Sequence, residues 1–256
     1  MHIIASHKIR FDELCNLPTP DPTPSHTPVP HWRLVNDARI AIDAAGFEIV
    51  QEQHATNREG LRYFGGFALR GPDITSAERE LVLGLRNSHD KSFAAAICIG
   101  TSMMVCENLC FSSTVRLDRK HTSGIARDLP AVFARAMGRL IPAWTEHGDR
   151  LLRYKHTEID ERQAAHLIVN LAECGALGIR DILPTLREFR APRHPEFHGA
   201  TLFNLYNAAT EALKGSDLAK LPSRTQFIQT HFDGFAGGAE QALLALAPAV
   251  DEIPFD

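Results

Sequence analysis

Apolar residues recur along this chain first at helical spacing, then at strand spacing, and finally at helical spacing again. Leu34, Ala38, Ile42 and Ala45 mark a helix beginning near His31, and Gly46 is its natural stop. Residues 47–54 read as a strand and Asn57, Arg58, Glu59 and Gly60 as a turn. Residues 61–69 read as its hairpin partner. Gly71, Pro72 and Asp73 break the chain. Residues 79–85 and 92–99 form a second pair of strands, joined through Asn87, Ser88, His89 and Asp90. Gly100, Thr101 and Ser102 are expected to turn the chain into a short strand at 103–106, and residues 111–117 close the set. Connections this short require mostly antiparallel pairing.

From Asp128 onward the period is helical. Leu129, Phe133, Ala136, Met137, Leu140 and Trp144 form an apolar stripe, with Asp128 as N-cap, Pro130 in the first turn and Pro142 set to kink or split the helix. Thr157 is placed to cap a helix running to about Cys174, and residues 182–189 form a shorter one. Thr201 starts a helix carrying Leu202, Leu205, Tyr206, Ala209 and Leu213, stopped by Gly215, and two short helices end the chain. Segregated strands and helices give an α+β fold: a helix, an antiparallel sheet, a long helix and a mostly helical remainder.

Prolines at 18, 20, 22, 24, 28 and 30 remove backbone donors and fix φ, so this stretch is an extended arm. The chain therefore divides into an arm (1–30), a helix with the sheet (31–122) and a helical region (123–256) packed on that sheet as one continuous unit. At 256 residues it buries a sizeable core without disulfides or metals. Five irregularly spaced cysteines argue against a secreted disulfide framework. No apolar run is long enough to span a bilayer, and residues 1–10 lack the continuous apolar segment of a signal peptide, so the expected location is the cytoplasm.

Net charge is −4, which carries no global sign of nucleic-acid binding, yet a local stripe of cations still acts within a Debye length of roughly 10 Å. The densest basic stretch is Arg116, Arg119, Lys120, Arg127, Arg135 and Arg139, with Arg135 and Arg139 four apart and therefore on one helix face. It is either a solvated helix face or a track for a phosphate backbone. Tyr63, Phe64 and Phe67 are the aromatic cluster near the sheet on which bases would stack. A weaker basic group, Arg187, Arg190, Arg193, His194 and His198, lies in a Pro-containing loop.

Candidate chemistry centres on Asn87, Ser88, His89 and Asp90. Adjacent side chains cannot relay a proton through one another, so this is no triad by itself. It reads as a turn, or as part of a site completed by Cys106, Asn108 and His121 from other segments. Cys98, Cys106 and Cys110 do not match zinc-ligand spacing, and Cys98 and Cys106 sit in apolar strands as small hydrophobes. No metal or cofactor is expected, and the phosphate-cradling and dinucleotide motifs are missing from the sequence.

The segment Leu85, Arg86, Asn87, Ser88, His89, Asp90, followed by an apolar strand and Val105, Cys106, Glu107, Asn108, resembles a family of phage- and plasmid-like proteins. That family is catalogued as a domain of unknown function, number 932. Arg119, Lys120 and His121 follow, and Asn207, Thr210 and Glu211 resemble the family's second signature; the similarity covers about residues 32–232. Lys91 stands where the family has glycine, which predicts a different turn geometry, and Glu107 stands where Thr or Ser is common. The resemblance implies a product of mobile elements. The order of elements is also similar to the core of ring-forming single-strand annealing proteins, in which a basic groove holds DNA.

Three functions are compatible with these features. The leading one is single-stranded DNA binding or annealing along residues 116–139, with a homo-oligomer as a possible form. The second is a hydrolase or nuclease built from Asn87, His89, Asp90, Cys106 and His121. The third is an interaction or inhibitor protein that targets a host protein partner.

Overall fold

The computed structural model describes residues 7–71, 74, 76–103, 109–214, 216, 217 and 219–246, those at 109–116 and 239–246 by their backbone alone. Six antiparallel strands lie side by side in chain order: β1 Lys8–Ile9, β2 Glu48–Thr56, β3 Arg62–Arg70, β4 Arg79–Ser88, β5 Ala95–Met103 and β6 Leu109–Arg119. Every neighbouring pair in this meander is antiparallel, as the short connections required. The expected break at Gly100, Thr101 and Ser102 is not there. β5 runs unbroken through them because its whole length pairs with β4, from Arg86↔Ala96 to Arg79↔Met103.

Helices α1 Phe11–Cys15 and α2 His31–Ala44 precede β2. α2 ends in a Schellman motif. Phe47 N–H donates to the Ile42 carbonyl at 3.1 Å and Gly46 N–H to Asp43 at 2.9 Å, which places Gly46 at φ +77°, where a side chain would be strained. β1 and α1 were not anticipated within the N-terminal arm. Two strand residues and five helical ones are too short to show a period.

After the sheet come α3 Ile125–Met137, α4 Leu140–His156, α5 Glu161–Glu173, α6 Ile182–Arg190, α7 Leu202–Ala212 and α8 Leu221–Leu246. The long helix expected after Asp128 is two helices, and the break falls at Gly138 and Arg139 rather than at Pro142. Pro142 is the third residue of α4, where its missing N–H has no intrahelical partner to lose. Asp128 does not cap α3, which starts at Ile125; its carboxylate instead receives Arg119. Asp160, not Thr157, caps α5, accepting from Gln163 N–H at 2.8 Å while the Gln163 amide returns the bond. The two short C-terminal helices are one helix of 26 residues.

One core lies between a sheet face and helices α2 and α3. Tyr63, Phe67, Leu81, Leu83, Leu85, Ile97 and Ile99 point from alternate strand positions onto Leu34, Val35, Ala38 and Ile42 of α2 and Ile125, Leu129 and Phe133 of α3. The other joins α4 to α8, with Tyr154, Leu167, Ile168, Leu205, Tyr206, Ile228 and Phe232 at its centre and Met103 of β5 at its edge. No helix among the described residues is long and apolar enough to cross a membrane.

Candidate functional site

Both α2 and α3 begin at the end of the sheet where β4 stops, β5 starts and β6 stops. There the Pro-rich arm, which is not extended throughout but turns back between Thr23 and His26 through paired backbone bonds of 2.8 and 3.2 Å, passes over the strand ends, and its backbone is bound by side chains. The Val29 carbonyl accepts from Asn87 Nδ2 at 2.8 Å and from His89 Nε2 at 2.9 Å, while Thr27 N–H donates to the His121 carbonyl at 2.8 Å. Asn87 also reaches His31 Nδ1 at 2.9 Å and His121 Nε2 at 2.7 Å, and His31 Nε2 meets the Gly60 carbonyl at 3.0 Å. Val29 is buried, and so are Asn87, His31, His89, His121 and His26.

These contacts fix every proton in the network. Carbonyls only accept, so His31 and His89 carry their protons on Nε2, and the Asn87 amide nitrogen faces Val29. Asn87 therefore donates its second hydrogen to the lone pair on His31 Nδ1, and its oxygen accepts from His121 Nε2–H. The rings are packed as well as bonded. His31 and His89 stack with centroids 3.9 Å apart and planes 4° from parallel, and His26 lies 4.8 Å from His121. Burial, with His89 next to it, holds the His31 pKa down at about 3; burial, with His26 and His89, holds His121 at about 4. His89 and His26 are lowered by burial too, helped by His26 in the first case and by Lys91 in the second. The cluster is neutral at neutral pH.

Asp90 turns away from it. Its carboxylate accepts from Arg62 Nε at 2.6 Å and from the amide and hydroxyl of Ser92, bonds that hold its pKa below the ordinary carboxylate value against the cost of its partial burial. Ser88 closes the same turn, its hydroxyl donating to the Phe93 carbonyl at 2.7 Å. Asn87 and Ser88 are the last residues of β4, so the turn proper starts at His89. Lys91 sits at φ +65°, the left-handed geometry that glycine favours, and is strained there. Lys91→Gly is expected to raise stability by about 0.5–1 kcal/mol, the relief of a left-handed residue less the chain entropy glycine adds. The check is a higher urea midpoint at unchanged m-value.

Cys106 and Asn108 lie outside the described residues. Their described neighbours Met103 and Leu109 stand at the far end of β5 and β6 from His89 and His121. From Ala95 to Met103 the strand rises about 26 Å. Asn207, Thr210 and Glu211 belong to α7 and the other core. Asn207 donates to the Phe203 carbonyl at 2.9 Å, Thr210 to the Asn207 carbonyl at 3.1 Å, and Glu211 pairs with Arg193 at 3.0 Å and Lys214 at 2.7 Å. Arg193 also pairs with Glu188 at 3.1 Å, which straps the Pro-containing loop onto α6 and α7.

The basic stretch is uneven. Arg119 and Arg127 share one carboxylate, that of Asp128, at 2.6 and 3.1 Å. Lys120, Arg135 and Arg139 are exposed and have no carboxylate partner among the described residues. The side chain of Arg116 lies outside the description. Arg135 is in the last turn of α3, whereas Arg139 follows the break, so the two do not share one continuous helix. Tyr63 and Phe67 are wholly buried and Phe64 packs on Phe93 at 5.5 Å, so these three rings do not form an open stacking platform.

His26 and His31 were not singled out in the sequence, nor was a chain of bonds behind them. Tyr63 Oη bonds His54 Nδ1 at 2.9 Å, His54 Nε2 meets Glu52 at 3.0 Å, and Glu52 receives Arg39 at 2.9 Å. The alternation of β2 places Glu52 and His54 on one face, but only the register against β3 shows that Tyr63 meets them. Among the described residues no three His, Cys, Asp or Glu side chains are disposed to hold a metal ion. A family model described as a domain of unknown function, DUF932, matches residues 23–229. No curated protein and no solved structure matches the chain.

Proposed function

The chain belongs to the family of the domain of unknown function DUF932, and from there we propose that it binds single-stranded DNA in the DNA metabolism of a mobile element. The observation that supports this reading is the run of exposed cations Lys120, Arg135 and Arg139, left without carboxylate partners among the described residues beside and beyond α3. Arg127 adds to it, since a side chain 85% exposed holds its ion pair with Asp128 weakly. Binding of this kind rests on phosphates and tolerates any sequence. The reading involves no bond-making chemistry. Asn87, His89 and His121 spend polar atoms on one another and on the arm, which favours a structural part for them over a catalytic one.

Fluorescence anisotropy with a labelled oligonucleotide across a salt series tests this. The expected result is binding that weakens steeply with salt. In Arg135→Ala/Arg139→Ala the log–log slope is expected to shrink by about 1.4, two contacts at about 0.7 each on a single strand. Absence of binding at low salt, or an unchanged slope in the double variant, overturns it.

A further inference from the structure

We propose that the buried histidines form a proton-operated latch: neutral His26, His31, His89 and His121 fasten the Pro-rich arm across the sheet end, and their protonation releases it. The proposal stands on which ring nitrogens are already used. His31 donates from Nε2 and accepts at Nδ1, so a second proton would point at the Asn87 amide hydrogen. His89 Nδ1 and His26 Nε2 are buried and have no partner among the described residues, so a proton there meets no acceptor. His31 and His89 are stacked face to face, and two imidazolium rings do not hold that contact.

The charges around the cluster do not offset its burial. From the β4–β5 turn come Lys91, which disfavours a charged His26, and Asp90, which favours charged His26 and His89 but is itself engaged by Arg62 and Ser92 and leaves both histidines lowered on balance. From the end of β6 and the residue after it come Arg119, paired with Asp128, and Lys120, next to His121 in the chain. α2 brings Arg33, set against Asp37, and β3 brings Tyr63, behind which Glu52 is shared by His54 and Arg39. No unengaged carboxylate among the described residues faces the four rings.

The sign follows directly. Each histidine titrates lower with the arm closed than when freed into water, where its pKa is about 6.5. Closure is therefore fully stabilised above pH 6.5, and that contribution is lost as pH falls from 6.5 toward the closed-state values, about 4 for His121 and about 3 for His31. Between pH 7.5 and 5.5 each histidine that takes a proton only in the open state raises the opening constant about tenfold.

Hydrogen exchange of the intact chain, corrected for the intrinsic pH dependence, reads this at residues 23–31 against α5 as an internal reference. The expected loss of protection over that interval is at least about 100-fold in the arm, the work of two histidines, with α5 holding its protection. His147 is also buried in neutral form, at about 3, but it lies on α4, and its titration would appear there. His26→Asn is expected to reduce the arm's response, by at most about tenfold. An arm response of tenfold or less in the wild-type chain, or one that α5 follows in parallel, overturns the latch. So does imidazole NMR at pH 7.5 showing His31 protonated on Nδ1.

Discussion

Asn87→Ala is expected to cost about 3–5 kcal/mol of folding stability, a large share of the roughly 5–15 kcal/mol that holds a typical domain. The wild-type side chain, wholly buried, gives two hydrogens and takes one. Alanine leaves the His121 Nε2–H and the His31 Nδ1 lone pair without partners inside a closed site. Each such orphan costs about 1–3 kcal/mol, and the lost packing adds to it. Val29 suffers less because His89 still donates to its carbonyl. Equilibrium urea unfolding gives the number, and a loss under about 1 kcal/mol would mean that the network does not hold the arm.

Asn87→Asp separates hydrogen bonding from size. Aspartate still accepts from His121, but it turns an oxygen toward the Val29 carbonyl and the His31 lone pair. A proton on His31 Nδ1 repairs the second conflict, so the variant's deficit relative to wild type is expected to be smaller at pH 6 than at pH 8. Equal deficits at both values would show that His31 does not present its lone pair to residue 87.

How much of this was legible in the chain differs from element to element. The strands from β2 to β4 and helices α2 and α7 could be read because period and punctuation agreed; Gly46 ends α2 and Thr201 caps α7, accepting from Asn204 N–H. β5 was misread at Gly100, Thr101 and Ser102, residues that signal a turn locally but here are paired with β4. The break between α3 and α4 was placed at the wrong residue for a related reason. Proline is disruptive only where a donor is needed, and that depends on where the helix starts, which the apolar stripe does not show. The meeting of Asn87, His89 and His121 was one of the convergences the sequence left open. Their partners were hidden: His26 and the Val29 carbonyl come from an arm with no period, His31 stands at the first position of α2 ahead of its apolar stripe, and a backbone acceptor has no signature in side-chain pattern.

Removing Asp233 is expected to have the next-largest effect, in the other core. Both oxygens of its carboxylate, on α8, accept from Arg150 Nε, at 3.1 and 2.9 Å, and one also accepts from the Tyr154 hydroxyl at 2.9 Å and from the more exposed Arg153 at 3.4 Å, all from α4. The Arg150 side chain is 8% exposed, and its other ion pair is with the more exposed Glu146 at 3.0 Å. Breaking a buried pair from one side costs about 3–5 kcal/mol. Asp233 is 31% exposed, so water partly rescues the arginine, and Asp233→Ala is expected to lose about 2–4 kcal/mol. Arg150→Met should also destabilise, but in Asp233→Ala/Arg150→Met no buried cation is stranded, since Arg153, which also pairs with Asp233, is 46% exposed and is hydrated when released. The double variant is therefore expected to be more stable than the sum of the singles by at least about 1.5 kcal/mol, read from a double-mutant cycle in urea. Strict additivity would mean that α8 is held to α4 by Tyr154, Phe232 and their apolar neighbours alone, with the charges contributing nothing to its docking.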